Sequence, residues 1–175
     1  YSAGQWKDER ESNLLDGAAH FYGCYECKDG KYISIGSIEP QFYASLIENM
    51  ELDASKFSNQ FDKNLWPNLK ELIGLRFKEK TRDEWCKIFT GKDICFAPVL
   101  SLEESLNNQH NLDRETFVEV AGIKQPAPAP RFSRTESEIK HPPLKVGSNT
   151  PEIIESLSSK IDVSVLTDQK IIRLD

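Results

Sequence analysis

The stretch "AHFYGCYECKDGKYISIGSIEPQFY", residues 19–43, places two strand-like runs, a tight turn and a helix start in immediate succession. Asp29-Gly30 is a strong type I′ turn signal, so residues 19–38 read as a hairpin. A two-residue loop sets Lys28 opposite Lys31, Cys24 opposite Ile35 and Gly23 opposite Gly36. The like-charged lysine pair is unfavourable, which keeps a longer loop open. In the two-residue register one face carries Tyr22, Cys24, Ile33 and Ile35. The other carries Phe21, Tyr25 and Ile38 around the two glycines. A glycine inside a strand marks either the close approach of a ligand or backbone, or a bulge.

The strand run stops at Ile38, and Pro40 suits the first position of a helix. Phe42, Leu46, Ile47 and Met50 recur at helical spacing and should face the core. Glu39 then falls at the N-cap, where the helix end favours a negative charge. Glutamate is not a preferred cap, since Ser, Thr, Asp and Asn are. Two readings stand level on these features: a functional carboxylate held between rigid elements, or a surface acid that stabilises the helix dipole.

Further on, a second helix is expected over about Pro67–Phe77, burying Leu69, Leu72, Ile73 and Phe77. "TRDEWCKIF" opens with a capping box, Thr81 to Glu84, and carries Trp85, Ile88 and Phe89 on one side, with Gly91 as a stop. "ICFAPVL" reads as a buried strand weakened near Pro98. "SLEESL" starts another helix with a capping box, Ser101 to Glu104, and "TFVEV" is a short strand. At about Gly122 the composition turns to proline and polar residues, the mark of an extended arm. A helix follows with Thr150 as cap and Pro151 at its first position, carrying Ile153, Ile154 and Leu157, and "DVSVLTDQKII" forms a last short helix. The fold class is α+β: a small domain with an antiparallel hairpin and packed helices over 14–121, then an arm with short helices over 122–175. Residues 1–13 read as a polar linker, and a first residue of Tyr1 with Met50 as the one methionine suggests a piece of a longer chain.

The chain has 175 residues, 38% hydrophobic and 29% charged, enough for a packed core. Its net charge is -6 and no Lys/Arg stripe is visible, which argues against nucleic acid as a partner. No apolar run is long enough to span a bilayer, so no membrane partner is expected. Cys24 and Cys27 form a C-x-x-C, yet residues three apart in a strand point to opposite faces and no further ligand pair accompanies them. Reduced thiols are the expectation for them and for Cys86 and Cys95, and no metal is expected. Among the histidines, His110 and His141 fall in a loop and in the arm, while His20 opens the hairpin.

The segments "NLLDGAAHFYGCYECKDGKYISIGSIEPQFY", "KTRDEWCKIFTGKDICFAPVLSLEE", "PAPRFSRT" and "PPLKVGSNTPEII" together resemble the small domain and closing arm of the racemase branch of the family III CoA-transferase superfamily. The resemblance implies an interlocked homodimer with an acyl-CoA substrate and no cofactor beyond the CoA of that substrate. It implies epimerisation at C2 of a 2-methylacyl-CoA, with the acid/base His and Asp in a large CoA-binding domain outside this sequence. By the same resemblance, Glu39 orients that histidine across a subunit boundary. Asp16, Gly17, His20, Phe21 and Ile38 line the acyl pocket. Ala18 and His20 stand where the family has glycine and proline, a departure that bears on substrate choice. The alternatives weighed are a CoA-transferase moving CoA between carboxylates and a non-catalytic interaction module. "GSIEPQFY" favours the racemase branch over the transferases. The expected setting is the cytoplasm, or a mitochondrion or peroxisome in a eukaryote.

Overall fold

In the computed structural model, which describes residues 1–156 and 162–172, the hairpin pairs Tyr25 with Ile33, Gly23 with Ile35 and Cys24 with Ser34. The strands are β1 (Tyr22–Glu26) and β2 (Tyr32–Gly36). Cys27 N–H donates to Lys31 O (2.8 Å) and Gly30 N–H to Cys27 O (3.0 Å), closing a three-residue loop. Gly30 sits at φ +73°, the left-handed position that such a loop requires. The two-residue register is therefore corrected by one residue, and Lys28 no longer faces Lys31.

A slip of one residue moves every side chain to the other face. Tyr25, Ile33 and Ile35 share the buried face with Phe21 and Cys27. Tyr22 and Cys24, grouped by the sequence reading with Ile33 and Ile35, lie instead on the more exposed face with Ser34 and Gly36. Cys24 is exposed and Cys27 buried, so the C-x-x-C points two ways.

The chain divides into two units, Tyr1–Ser101 and Leu102–Asp175. In the first, β3 (Phe96–Val99) pairs with β2, giving the order β1-β2-β3. It is an edge strand with Pro98 opposite Ile33 and Val99 43% exposed, rather than the buried strand expected. The edge is where a proline is tolerated, because no further strand needs its N–H.

Three helices complete this unit: α1 (Pro40–Asn49), α2 (Trp66–Phe77) and α3 (Arg82–Phe89). Tyr43, Leu46 and Ile47 are the buried residues of α1, and Tyr43 takes the place expected of Phe42, which is half-buried. Leu69, Ile73 and Phe77 of α2 are buried as the spacing requires, while Leu72 is only partly so. Both halves of the capping box form at α3: Glu84 N–H donates to Thr81 Oγ1 (3.3 Å), and Thr81 N–H donates to the Glu84 carboxylate (2.8 Å). Tyr25 of β1 stacks on Phe77 of α2 with ring centroids 5.2 Å apart, and Phe96 of β3 meets Phe89 of α3 at the same separation.

The second unit holds α4 (Leu102–Leu106), α5 (Gln109–Asp113), β4 (Phe117–Val120), β5 (Ile123–Pro126), α6 (Thr150–Ser156) and α7 (Val163–Asp168). β4 and β5 form a hairpin through Ala121 (φ +52°) and Gly122 (φ +78°), so a strand occupies the start of the stretch read as arm. Ala-Gly is a weak turn signature, because alanine in the left-handed region costs about 1–2 kcal/mol. Leu157, expected on the helix that begins near Thr150, lies outside the described residues. No described residue of this unit is buried, and Leu102 (79%) and Val146 (104%) are open to solvent.

Gly30→Ala tests the loop geometry. Nothing lies within 4 Å of a Cβ built there, so the cost is conformational alone. The expected loss is about 1–2 kcal/mol in urea unfolding. An unchanged midpoint would show that the hairpin re-forms in a register without a left-handed residue.

Candidate functional site

The seam between β2 and α1 is built by a run of backbone that is neither strand nor helix. Ser37 N–H donates to Phe21 O (3.0 Å), Ile38 N–H to Gly36 O (2.9 Å), and Tyr43 N–H to Glu39 O (2.9 Å) as the first bond of α1. Ser37 is fully buried and its hydroxyl donates to Ile94 O. Glu39 caps the helix with extended backbone (φ -68°, ψ 143°), and Pro40 follows in the first turn. The Glu39 side chain is exposed and makes no hydrogen bond to the helix N–H groups. Among the described residues it makes no ion pair either, so the carboxylate is free to accept from a group outside them.

The other residues singled out in the sequence fall into three settings. Ile38 is half-buried at the seam and packs against the core. His20 and Phe21 are sealed, both at 0% exposure. Phe21 lies edge-on to Tyr43 and Trp66, at 5.9 and 6.0 Å between centroids. Asp16 and Gly17 are tied to other partners. Both Asp16 oxygens accept from Asn13, at 2.7 Å from its backbone N–H and 2.6 Å from its Nδ2. Desolvation alone would raise the Asp16 carboxyl, and the hydrogen bonds from Asn13, Ser12 and Ala18 hold it below its ordinary value instead. Gly17 (φ +103°) offers its carbonyl to Lys70 Nζ at 2.7 Å.

His20 is a buried imidazole with one partner. Its Nε2 lies 2.7 Å from the Tyr43 hydroxyl, which itself donates to Phe57 O (3.1 Å). The hydroxyl has a single proton, which goes to Phe57 O, so Nε2 of His20 is the donor of this pair. Nδ1 has no hydrogen-bond partner. Burial pushes the imidazole down from 6.5 to about 4. Burial also pushes the Tyr43 phenol above its ordinary value. His20 thus serves the fold as a donor to α1, and in this arrangement it is not placed to move a proton on a bound molecule.

An apolar groove of about 470 Å³ runs along the outer flank of α1, between Pro40, Tyr43, Ala44 and Ile47 on the helix and Leu52 and Phe57 on the loop that follows. The exposed face of the sheet holds a second depression of about 380 Å³, which includes Tyr22, Cys24, Gly36 and Cys95. The Cys95 thiol is raised by burial, then by the charges of Glu39 and Asp93, which places it in the field of the seam carboxylate. Among the described residues, no group of three or more His, Cys, Asp or Glu could hold a metal ion. No described helix is long and apolar enough to cross a membrane.

Two residues of the seam went unseen in the sequence, Tyr43 and Gln60. Tyr43 carries a readable signal, since it stands four residues after Glu39 and so in the same helical turn. Gln60 lies in a polar loop and carries none.

An α+β unit with a short antiparallel sheet is the fold class that the sequence resemblance implied. The match to known proteins is direct: the chain belongs to CoA-transferase family III, whose pattern fits residues 1–150. It is 38% identical to the α-methylacyl-CoA racemase of Mus musculus over 98% of its own length and 46% of that protein's. It is also 38% identical to the α-methylacyl-CoA racemase of Homo sapiens, over 95% of this chain and 44% of that one. The succinyl-CoA:glutarate CoA-transferase of Homo sapiens is 25% identical over 90% of this chain. The fold matches Rv3272 from M. tuberculosis in its orthorhombic crystal form, with a TM-score of 0.62 at 16% identity, covering 77% of this chain and 39% of that one. The chain therefore spans less than half the length of the racemases it matches.

The state of His20 gives a pH signature. Between about 4, its folded value, and 6.5, its ordinary value, the unfolded chain holds a proton that the folded chain does not. Stability must therefore fall as pH falls through that window, by no more than about 1.4 kcal/mol per pH unit from this group. Urea unfolding from pH 7 to pH 4 should show a shallower fall for His20→Gln than for the wild type. Parallel curves would mean that His20 is protonated in the folded state.

Proposed function

We propose that this chain is part of an α-methylacyl-CoA racemase, which inverts C2 of a 2-methylacyl-CoA by removing and returning its α-proton. The observation that carries the reading is the 38% identity to two proteins of that name across 95–98% of the chain. The thioester makes the α-proton acidic, and two acid/base groups on opposite faces of C2 suffice for epimerisation through an enolate. In this reading both groups, a histidine and an aspartate, belong to a large CoA-binding domain outside these residues. Glu39 accepts a hydrogen bond from that histidine, fixing its tautomer and orientation, as a carboxylate does for a catalytic imidazole. Its lack of partners among the described residues fits this task, as does its mounting on a rigid seam. In this reading Ile38, Asp16 and Gly17, which keep partial exposure, line the acyl pocket, whereas His20 and Phe21 at 0% exposure do not reach its surface.

The working form in this reading is a homodimer, with the arm from residue 122 onward returning to the large domain. The second unit supports this, because it exposes Leu102, Leu144 and Val146 and has no buried described residue of its own. Small elements without a core need a surface to fold against. The setting is an aqueous compartment that handles acyl-CoA: the cytoplasm, or a mitochondrion or peroxisome in a eukaryote.

A second reading, transfer of CoA between carboxylic acids, is favoured by the 25% identity to succinyl-CoA:glutarate CoA-transferase. Deuterium exchange at C2 without a second carboxylic acid separates the two, because only the racemase needs no acceptor.

In the whole protein, Glu39→Gln should lower the rate of C2 exchange by about 10- to 100-fold, with the unfolding midpoint unchanged. A full rate would return Glu39 to the role of a surface acid. The isolated chain should not catalyse deuterium wash-in at C2, and any turnover by it above background would place a base among these residues.

A further inference from the structure

Gln60 is a polar side chain at 8% exposure in the loop between α1 and α2, and neither the fold class nor the proposed chemistry uses it. Its Nε2 donates to Ser37 O at 3.1 Å and to Ile38 O at 2.8 Å. Those are the two carbonyls immediately before Glu39. The backbone of Gln60 is itself held, because its main-chain carbonyl accepts from the indole N–H of Trp66 at 2.8 Å, and Trp66 is 4% exposed. The donors thus come from a rigid mount.

The two carbonyls are unusual in what they face. Ser37 lies beyond the end of β2, so no strand ladder claims its carbonyl, and Ile38 precedes the helix. A buried carbonyl without a donor is costly, so the carboxamide adds to the Ser37 and Ile38 N–H bonds in holding the backbone at 37–38, at one buried and one part-buried carbonyl. The Glu39 side chain has no bond of its own to hold it. Its position therefore follows from the backbone of the two residues before it and from Pro40 after it.

We propose that Gln60 is a positioning residue for Glu39: its carboxamide clamps the Ser37 and Ile38 carbonyls and so aims the carboxylate. The proposal rests on the reading of Glu39 given above. It adds a requirement that the reading does not contain, namely two donors from one side chain of a distant loop. Glutamine meets that requirement because its NH₂ group carries two protons, whereas a carboxylate carries none and a carboxylic acid one.

The test uses the whole protein, with C2 deuterium exchange of a 2-methylacyl-CoA as the readout and urea unfolding as the control. Gln60→Met should lower kcat by about 10- to 100-fold with a smaller change in KM. In a Glu39→Gln background the same substitution should have no further effect, because Gln60 acts through Glu39. Gln60→Glu keeps the shape of the side chain and guards against a folding failure of the first variant. Its rate relative to the wild type should recover as pH is lowered, as the protonated carboxyl regains one donor. Equal losses from Gln60→Met with and without Glu39→Gln would overturn the proposal, since a loss of general packing does not depend on Glu39. So would a full rate for Gln60→Met beside a slowed Glu39→Gln, and that result leaves the Glu39 reading intact. A full rate for Glu39→Gln itself removes both, and that arm alone identifies it.

Discussion

The placement of Tyr25 opposite Ile33 decides which side chains of the hairpin meet the helices. With that pairing, Tyr25 reaches Phe77, and Ile33 and Ile35 join the buried cluster that also holds residues of α1, α2 and α3. One residue of slip would put Tyr22 and Cys24, instead of Tyr25, on the face shared with Ile33 and Ile35, a loss of about 1.5–3 kcal/mol for each large apolar side chain turned to water. The loop enforces the choice with a single left-handed glycine. The register also sets where β2 ends, and so where Ser37, Ile38 and Glu39 emerge. The position of the seam depends on a turn seven residues before its first member.

The seam shows how a small domain can hold the backbone under a side chain in place while leaving that side chain unbonded. Helix starts commonly fix their cap by a side-chain bond to the first N–H groups, as Thr81 does at α3. Glu39 forgoes that bond, and the rigidity comes instead from the backbone around it: Ser37 to Phe21 and Ile94, Ile38 to Gly36, and both carbonyls to Gln60. The buried network through His20, Tyr43 and Phe57 secures the first turn of α1 from the other side. The orphaned Nδ1 of His20 shows that this support has a cost in desolvation.

Local signals were legible where they rest on short-range chemistry. Pro40 at a helix start, the Thr81–Glu84 capping box and the buried positions of α2 follow from residues a few places apart. The register of the hairpin was not fixed by such rules. Asp29-Gly30 suits a two-residue turn, and only the repulsion between Lys28 and Lys31 hinted at the longer loop. The β4–β5 hairpin escaped notice because Ala121 stands where asparagine or glycine is usual. Glu39 could be singled out by its odd position, and the family resemblance turned that oddity into an expectation. Gln60 was out of reach, since its role depends on a contact made 22 residues away in sequence to the Ile38 carbonyl.

The two units differ in a way that bears on how the chain works. The first buries a full aromatic and aliphatic core from Ala19 to Ile94, so it can hold the seam in place by its own packing. The second has strands, short helices and a proline-rich path but no buried described residue. Its hairpin is two strands wide, which is marginal in water without a further layer. Its apolar side chains, Leu102 and Val146 among them, therefore gain little stabilisation from one another. The exposed Glu39 carboxylate makes no ion pair among the described residues, and the second unit has no buried described residue, so the packing that holds the seam is all in the first unit.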